Sequence, residues 1–163
     1  MKKVNFWLIL ALLFGIGWSS CSTEETCRKS KTVLLGAKLY QDTLNTKTNQ
    51  YVTLSYKADS LTALGVGVNM YIYKSAKDLS EIKLPLDKLQ TQSRFSIKFN
   101  EKYDTITVMY HNTDEYMSLE CGCVRTHTID TVLTTNHFIE KILLSKPIIN
   151  TTYVENIKIF IAK

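Results

Sequence analysis

Two cysteines and a histidine stand close together late in the chain and are the residues best suited to chemistry. Cys121 and Cys123 are two residues apart, and His127 follows four residues later. On a continuous strand these three side chains would face one side, with His111 or His137 as a further ligand. Thiolate and imidazole bind zinc, and a thiolate is also the reactive form in redox chemistry. Because the Cys-x-x-Cys pairs of strong zinc sites are absent, we predict neither a metal nor a cofactor. A thiol-redox or metal-dependent enzyme remains the alternative.

The first residues have the layout of an export signal. A basic head, Lys2-Lys3, precedes a 13-residue apolar run that ends at Trp18, and small residues follow. The run is too short for a membrane span, which needs about 20 residues. Cys21 directly after the small residues resembles the cleavage site of bacterial lipoproteins, where the cysteine becomes the first mature residue and carries the acyl anchor. We therefore predict a signal peptide at residues 1–20 and lipid attachment at Cys21.

Residues 21–30 contain this cysteine and a polar tether, and residues 31–163 form one domain by the usual length of domains. The acidic stretch Ser22-Thr23-Glu24-Glu25 resembles the Bacteroidetes signal that sends lipoproteins to the outer face of the outer membrane. A soluble acidic spacer is the alternative interpretation. The sequence thus predicts an outer-membrane lipoprotein and leaves its surface or periplasmic side open.

Lipid attachment to Cys21 leaves three cysteines in an oxidising compartment. We predict a disulfide between Cys27 and either Cys121 or Cys123, with one thiol left over. A direct bond between Cys121 and Cys123 would be strained if both face the same side of one regular strand. The long loop closed by the predicted bond would stabilise the fold by about 3–5 kcal/mol.

A recurring motif of Asp, a hydroxyl residue and an aliphatic residue points to a modification. Four of the seven aspartates fit it. It resembles the acceptor motif for O-glycosylation of exported Bacteroidetes proteins, and this resemblance implies glycans on the hydroxyl residues. The alternative is structural, because Asp is common where strands begin and Thr favours strands. The four predicted acceptors are Thr43, Ser60, Thr105 and Thr131.

Composition argues against several classes of function. Removal of the signal leaves 18 basic and 15 acidic residues, a net charge of +3, and these charges are interspersed, so no nucleic-acid partner is predicted. Both tryptophans lie in the signal, which argues against a carbohydrate-binding domain. No Gly-x-Ser-x-Gly elbow or phosphate-binding loop is present, so no enzyme is predicted and no small-molecule ligand is identified.

Short runs with apolar residues at every second position indicate β-strands throughout the domain. Residues 41–50 have a turn composition, and Pro85 places its strand at a sheet edge. A hairpin is predicted around Asn100-Glu101-Lys102, and residues 126–135 and 138–144 are predicted as strands. The apolar faces are Val33-Leu35-Ala37-Leu39, Val52-Leu54-Tyr56, Val66-Val68-Met70-Ile72 within residues 64–73, Ile82-Leu84-Leu86, Phe95-Ile97-Phe99, Ile106-Val108-Tyr110, Met117-Leu119-Cys121-Cys123 and Ile157-Ile159-Ile161.

Eight or nine such strands without a long helix are typical of an all-β domain. We predict an antiparallel β-sandwich of the immunoglobulin-like kind, with a small β-barrel as the alternative.

Several short stretches carry a resemblance that spans the mature chain. They are Cys27, Asp59-Ser60-Leu61 leading to Gly65, Leu84-Pro85-Leu86, Phe99-Asn100-Glu101, Asp104-Thr105-Ile106-Thr107, Ser118-Leu119-Glu120-Cys121-Gly122-Cys123, Asn150-Thr151-Thr152 and Glu155-Asn156-Ile157. The pattern is similar to an uncharacterised group of Bacteroidetes lipoproteins, a domain of unknown function. The resemblance implies a cell-envelope lipoprotein without known catalytic residues. We therefore expect a non-enzymatic binding or assembly module, held to the membrane by its N-terminal lipid and able to meet an envelope protein partner.

Overall fold

The computed structural model of the protein describes residues 31–68, 70–119 and 121–162, and all regular elements in these residues are β-strands. No helix in these ranges is long and apolar enough to span a membrane. The predicted signal peptide, Cys21 and Cys27 lie outside the described residues. The strands are β1 (Leu34–Asn45), β2 (Gln50–Ser55), β3 (Leu61–Gly65), β4 (Tyr71–Ala76), β5 (Glu81–Pro85), β6 (Gln92–Phe99), β7 (Lys102–Ser118), β8 (Gly122–Thr134), β9 (Ile139–Leu144), β10 (Ile148–Ile149) and β11 (Ile157–Ile161).

The strands form two sheets. The first has the order β2-β1-β11-β9. The fifth strand of this sheet, β5, pairs with the first half of β1, and β2 pairs with the second half of β1 on the same edge. The second has the order β10-β8-β7-β6-β3-β4. Strands that follow one another in the chain often pair, as β6, β7 and β8 do, because short turns join antiparallel neighbours. The all-β two-sheet sandwich predicted from the alternation is therefore confirmed.

The hydrophobic core lies between the two sheets and is built by the alternating residues. Leu35, Ala37 and Leu39 of β1 are fully buried, as are Ile157 and Ile159 of β11. The second sheet contributes Leu61, Ala63, Phe95, Ile97, Phe99, Ile106, Val108 and Tyr110. Each fully buried Leu or Ile of this kind stabilises the fold by roughly 1.5–3 kcal/mol, so the core supplies the main driving force for folding.

The centre of the first sheet is a parallel pair that the alternation did not predict. Ala37 of β1 lies opposite Ile157 of β11, and the two strands run in the same direction. Asn156 holds this junction: its side-chain oxygen accepts a hydrogen bond from the N–H of Gly36 (3.0 Å), and its amide nitrogen donates to the carbonyls of Lys146 and Ile148 (both 2.9 Å). The early strand β1 is therefore locked to the last strand of the chain.

Several local predictions are confirmed. The β6–β7 hairpin turns at Asn100-Glu101, and Asn100 adopts a positive φ of 51°. The strand predicted at residues 138–144 is β9, which begins one residue later, at Ile139. Pro85 ends β5, which pairs with β1 as an edge strand within the described residues. Proline suits this position because it has no N–H to donate to a second neighbour.

Two boundaries were predicted wrongly. The turn composition of residues 41–50 does not end the first strand, since β1 continues to Asn45 and the turn occupies only residues 46–49. The apolar alternation of residues 64–73 is not one strand, because β3 ends at Gly65 and β4 begins at Tyr71. Gly67 has a φ of +87°, and the N–H of Val68 donates to the carbonyl of Gly65 (3.1 Å), so the chain reverses there.

Candidate functional site

The two cysteines of the Cys-Gly-Cys block do not share a face, so that prediction was wrong. Cys121 is buried, with 4% of its surface exposed, whereas Cys123 is exposed and carries a free thiol. Gly122 between them has a φ of +67°, which turns the chain at the tip of the β7–β8 hairpin. Leu119, expected in the core beside them, is 95% exposed.

The three histidines are held by separate partners. The Nδ1 atom of His111 lies 2.9 Å from the carboxylate of Asp130, and that of His137 lies 3.2 Å from the carboxylate of Asp104. His127 is buried and directs its Nδ1 to Asn112 instead. Within the described ranges, no group of three or more His, Cys, Asp or Glu side chains is arranged to hold a metal ion.

Lys31, the first described residue, lies beside the buried cysteine. Its Nζ donates a hydrogen bond to the carbonyl of Cys121 at 2.6 Å. The beginning of the domain is thereby brought to the tip of the β7–β8 hairpin, 90 residues away in sequence. The predicted disulfide partner Cys27 is only four residues before Lys31 and lies outside the described residues.

The four predicted glycan acceptors differ in their surroundings. Thr131 is exposed on β8, whereas Thr43 on β1, Thr105 on β7 and Ser60 are half-buried. Ser60 alone of the four lies outside a strand, in a bend before β3. Their modification stays a prediction.

The aspartate of one of these motifs has a structural role. Asp104 is buried at 2% exposure, and its carboxylate accepts hydrogen bonds from the backbone N–H groups of His137, Phe138 and Ile139 (2.9, 2.8 and 2.8 Å) and from the Thr135 hydroxyl. Burial alone would raise its pKa, but these hydrogen bonds outweigh burial and lower the pKa. This carboxylate joins β7 of one sheet to the start of β9 in the other.

A cleft of about 670 Å³ opens between the β3–β4 connection and the segment that joins β5 to β6. Its apolar wall includes side chains that are exposed, with Val68 at 55% and Met70 at 68%. The polar part of the lining includes Gln90, Ser93 and Arg94. The apolar lining residues are Val66, Val68, Met70, Ile72, Leu86 and Phe95.

Hydrogen bonds fix the wall of the cleft that follows β5. The Tyr110 hydroxyl donates to the carbonyl of Asp87 (2.8 Å) and lies 2.7 Å from the Ser93 hydroxyl. Ser93 in turn accepts a hydrogen bond from the Asp87 N–H (3.0 Å). Burial raises the pKa of Tyr110, so the phenol keeps its proton for this bond. The polar side of the cleft is therefore preorganised before any ligand binds.

A second layer of polar contacts lies behind this wall. The amide nitrogen of Asn112 donates to the carbonyls of Lys88 (3.3 Å) and Gln90 (2.8 Å), so its oxygen is the acceptor for His127 Nδ1 at 2.6 Å. Burial, and secondarily the positive charges of Lys88 and Arg125, lower the pKa of His127. The imidazole is therefore neutral, and its buried Nε2 has no hydrogen-bond partner among the described residues.

Sequence reasoning missed the cleft although its apolar wall was visible. The alternation of Val66, Val68, Met70 and Ile72 was assigned to the face of a strand, where it would have become core. The signal that could have found the connection is Gly65-Val66-Gly67, since two glycines close together favour a turn within an apolar run. This signal could not reveal the opposite wall of the cleft, because residues 85–95, which form that wall, are distant in sequence from the two glycines.

Comparison with known proteins identifies a family but no characterised relative. No curated protein and no solved structure matches the chain. A family model does match, over residues 60–161, which contain all strands from β3 to β11. The chain therefore belongs to the family of unknown function DUF6452.

Proposed function

We propose that this protein is a cell-envelope lipoprotein, anchored at the outer membrane through Cys21, whose domain is a non-enzymatic binding module. The cleft carries the binding part of this proposal. Its volume of about 670 Å³ lies in the range typical of small-molecule sites, and its lining combines apolar side chains with a few polar groups. The expected ligand is a molecule with an apolar body that contacts Val68 and Met70, and a polar end near Gln90 and Arg94.

The anchor rests on the basic, apolar and small-residue layout before Cys21. We further propose that Cys27 forms its disulfide with Cys121, because Cys123 is exposed and has a free thiol. Four residues of extended chain span at most about 14 Å, so Cys27 is within reach of the site where Lys31 contacts Cys121. This bond would tie the tether to the β7–β8 hairpin. Glycans are easiest to accommodate at exposed Thr131 or in the bend at Ser60.

The cleft can be tested by filling it. Gly65 lines the cleft, and a Cβ atom added there would lie 3.7 Å from the Cβ of Val68, an ordinary contact, so Gly65→Phe adds a ring at the cleft wall without a clash at the new Cβ. We expect the neutral fluorescent probe N-phenyl-1-naphthylamine to bind the wild-type protein and to bind Gly65→Phe at least roughly tenfold more weakly. Leu133→Phe, at a 54% exposed position of β8 away from the cleft, is the matched control. Equal probe binding by wild type and Gly65→Phe would exclude the cleft as the binding site.

The anchor and the disulfide are tested by intact mass. Protein extracted from membranes should have the mass of residues 21–163 plus acyl chains, and one cysteine should be alkylated before reduction. An unacylated species with all remaining thiols free would contradict both proposals.

A second candidate function is thiol-redox chemistry, favoured by the exposed free thiol of Cys123 two residues from Cys121. In that case the wild-type protein would undergo thiol–disulfide exchange with glutathione disulfide, and Cys123→Ser would abolish this exchange. The binding module predicts instead that Cys123→Ser leaves probe binding unchanged.

A further inference from the structure

The most exposed apolar side chains of the described residues gather at one end of the sandwich. Of the five large apolar side chains with the highest exposure, three belong to connections at this end, Leu119 (95%), Leu89 (83%) and Met70 (68%), and Tyr116 (61%) lies on β7 next to the hairpin tip. The fifth, Tyr51 (76%), follows the β1–β2 turn. We call the end formed by Lys31, the β3–β4 connection, the β5–β6 connection and the tip of the β7–β8 hairpin the tether end.

Strand register and hydrogen bonds bring these connections to the same end. Leu34, at the start of β1, lies opposite Pro85 at the end of β5, so the N-terminus of the domain and the β5–β6 connection are neighbours. Arg125 of β8 donates to the carbonyl of Lys88 in that connection (2.9 Å). The N–H of Val66 donates to the carbonyl of Arg94 (2.8 Å), which places the β3–β4 connection beside the start of β6.

The described part of the chain also begins at this end, with Lys31. Lys31 contacts the carbonyl of Cys121 at the hairpin tip. Ten residue steps separate Lys31 from Cys21, a distance of at most about 36 Å even when fully extended. An acyl group on Cys21 would therefore keep Lys31, and with it the tether end, within about 36 Å of the lipid surface.

We infer that the tether end docks on the lipid surface, with Leu119, Leu89 and Met70 inserted at the boundary between headgroups and acyl chains. This inference rests on the proposed anchor, to which it adds a second membrane contact. Apolar side chains at a lipid surface insert at the boundary between headgroups and acyl chains, and the strength of binding increases with the apolar area that is buried. A protein strand would need a continuous free edge instead. The cleft opens between two of these connections, so an apolar ligand could enter it from the bilayer.

The mature domain contains no tryptophan, because Trp7 and Trp18 both lie in the predicted signal. Single tryptophans can therefore report on the inferred contact. The test uses the mature chain with Cys21→Ser, which has no acyl group, and vesicles of phosphatidylethanolamine with phosphatidylglycerol. Emission from Leu119→Trp and from Leu89→Trp should shift to shorter wavelength on vesicle addition and should be quenched by brominated acyl chains. Tyr51→Trp, at the 76% exposed control position, should not respond.

Vesicle flotation tests the same contact by removing the apolar side chains and measuring how much less protein binds to the vesicles. The triple substitution Leu119→Ser, Leu89→Ser and Met70→Ser should weaken partitioning to vesicles roughly tenfold or more, since each buried apolar side chain contributes favourably. Tyr51→Ser is the control, and circular dichroism checks the fold of each variant. An identical response of all three tryptophan positions would overturn the inference, as would unchanged flotation of the triple variant. The proposed lipid anchor is tested independently by the intact mass of the wild-type protein, which would lack the mass of acyl chains if Cys21 were not lipidated.

Discussion

Replacement of Asp104 by Asn tests whether one buried carboxylate holds the two sheets together. One carboxylate oxygen accepts from the N–H groups of Phe138 and Ile139, and the other accepts from His137 N–H and the Thr135 hydroxyl. An amide has a single acceptor oxygen, so in either orientation at least one backbone N–H that donates to the carboxylate in the wild type faces an NH₂ group. A buried donor without a partner costs about 1–3 kcal/mol, and the remaining bonds lose their charge. We expect Asp104→Asn to lower the free energy of unfolding by about 3 kcal/mol.

Urea unfolding followed by circular dichroism measures this loss. With a urea dependence of roughly 1–3 kcal/mol per M, the midpoint should fall by roughly 1–3 M. Asp130→Asn is the matched control because it changes the same Asp-Thr-aliphatic motif at a side chain that is 54% exposed. Its effect should stay within about 0.5 kcal/mol. Equal midpoints for the two variants would refute the structural role of Asp104.

The dependence on pH provides an independent check. Hydrogen bonds lower the pKa of Asp104 in the folded protein below its ordinary value of 3.8, despite the opposing effect of burial. Its stabilising contribution is therefore complete above that ordinary value and is lost as the pH falls through the folded pKa. The difference in unfolding free energy between the wild type and Asp104→Asn should narrow as the solution is acidified below about pH 4. A difference that does not change with pH would contradict the reasoning.

Three further outcomes are expected. Asn156→Asp should lower the free energy of unfolding, measured by chemical denaturation, by roughly 2–4 kcal/mol, because a carboxylate cannot donate to the two carbonyls that the amide binds. An Asn156→Asp variant as stable as the wild type would contradict this. Gly36→Ala should destabilise by at least about 2 kcal/mol, since the new Cβ would lie 2.0 Å from the Val154 carbonyl oxygen; an unchanged melting temperature would argue against that contact. Iodoacetamide should label Cys123 in the native protein and spare the buried Cys121, as read by peptide mass; preferential labelling of Cys121 would disprove their assignment.

The alternation of apolar residues predicted most of the core correctly. Leu35, Leu39, Ile97 and Ile106 are fully buried, as their positions within alternating runs indicated. Alternation succeeds here because successive side chains of a strand face opposite sides, so one face must be apolar wherever two sheets pack. The same rule failed for Leu119, which lies beyond the end of β7 and is almost fully exposed.

The relative facing of the two cysteines was predicted wrongly, for a related reason. The residue types indicated a disulfide or thiol role, but the relative facing of Cys121 and Cys123 depends on the backbone of the residue between them. Gly122 takes a left-handed conformation and turns the hairpin, so one cysteine is buried and the other is exposed. Glycine bends the chain easily, but the φ that Gly122 adopts depends on how β7 pairs with β8.

What the sequence determined by itself is the all-β class, the faces of most strands and the expectation of an exported, lipid-anchored chain. These follow from local patterns: side-chain alternation with a period of two, and an N-terminal run of basic, apolar and small residues. The tertiary structure decided which distant segments meet. Only pairing across the chain places β1 parallel to β11, and only the packing of the β3–β4 connection against the segment after β5 creates the cleft. Such contacts depend on the closure of long loops around a shared core, and no local pattern of residues specifies them.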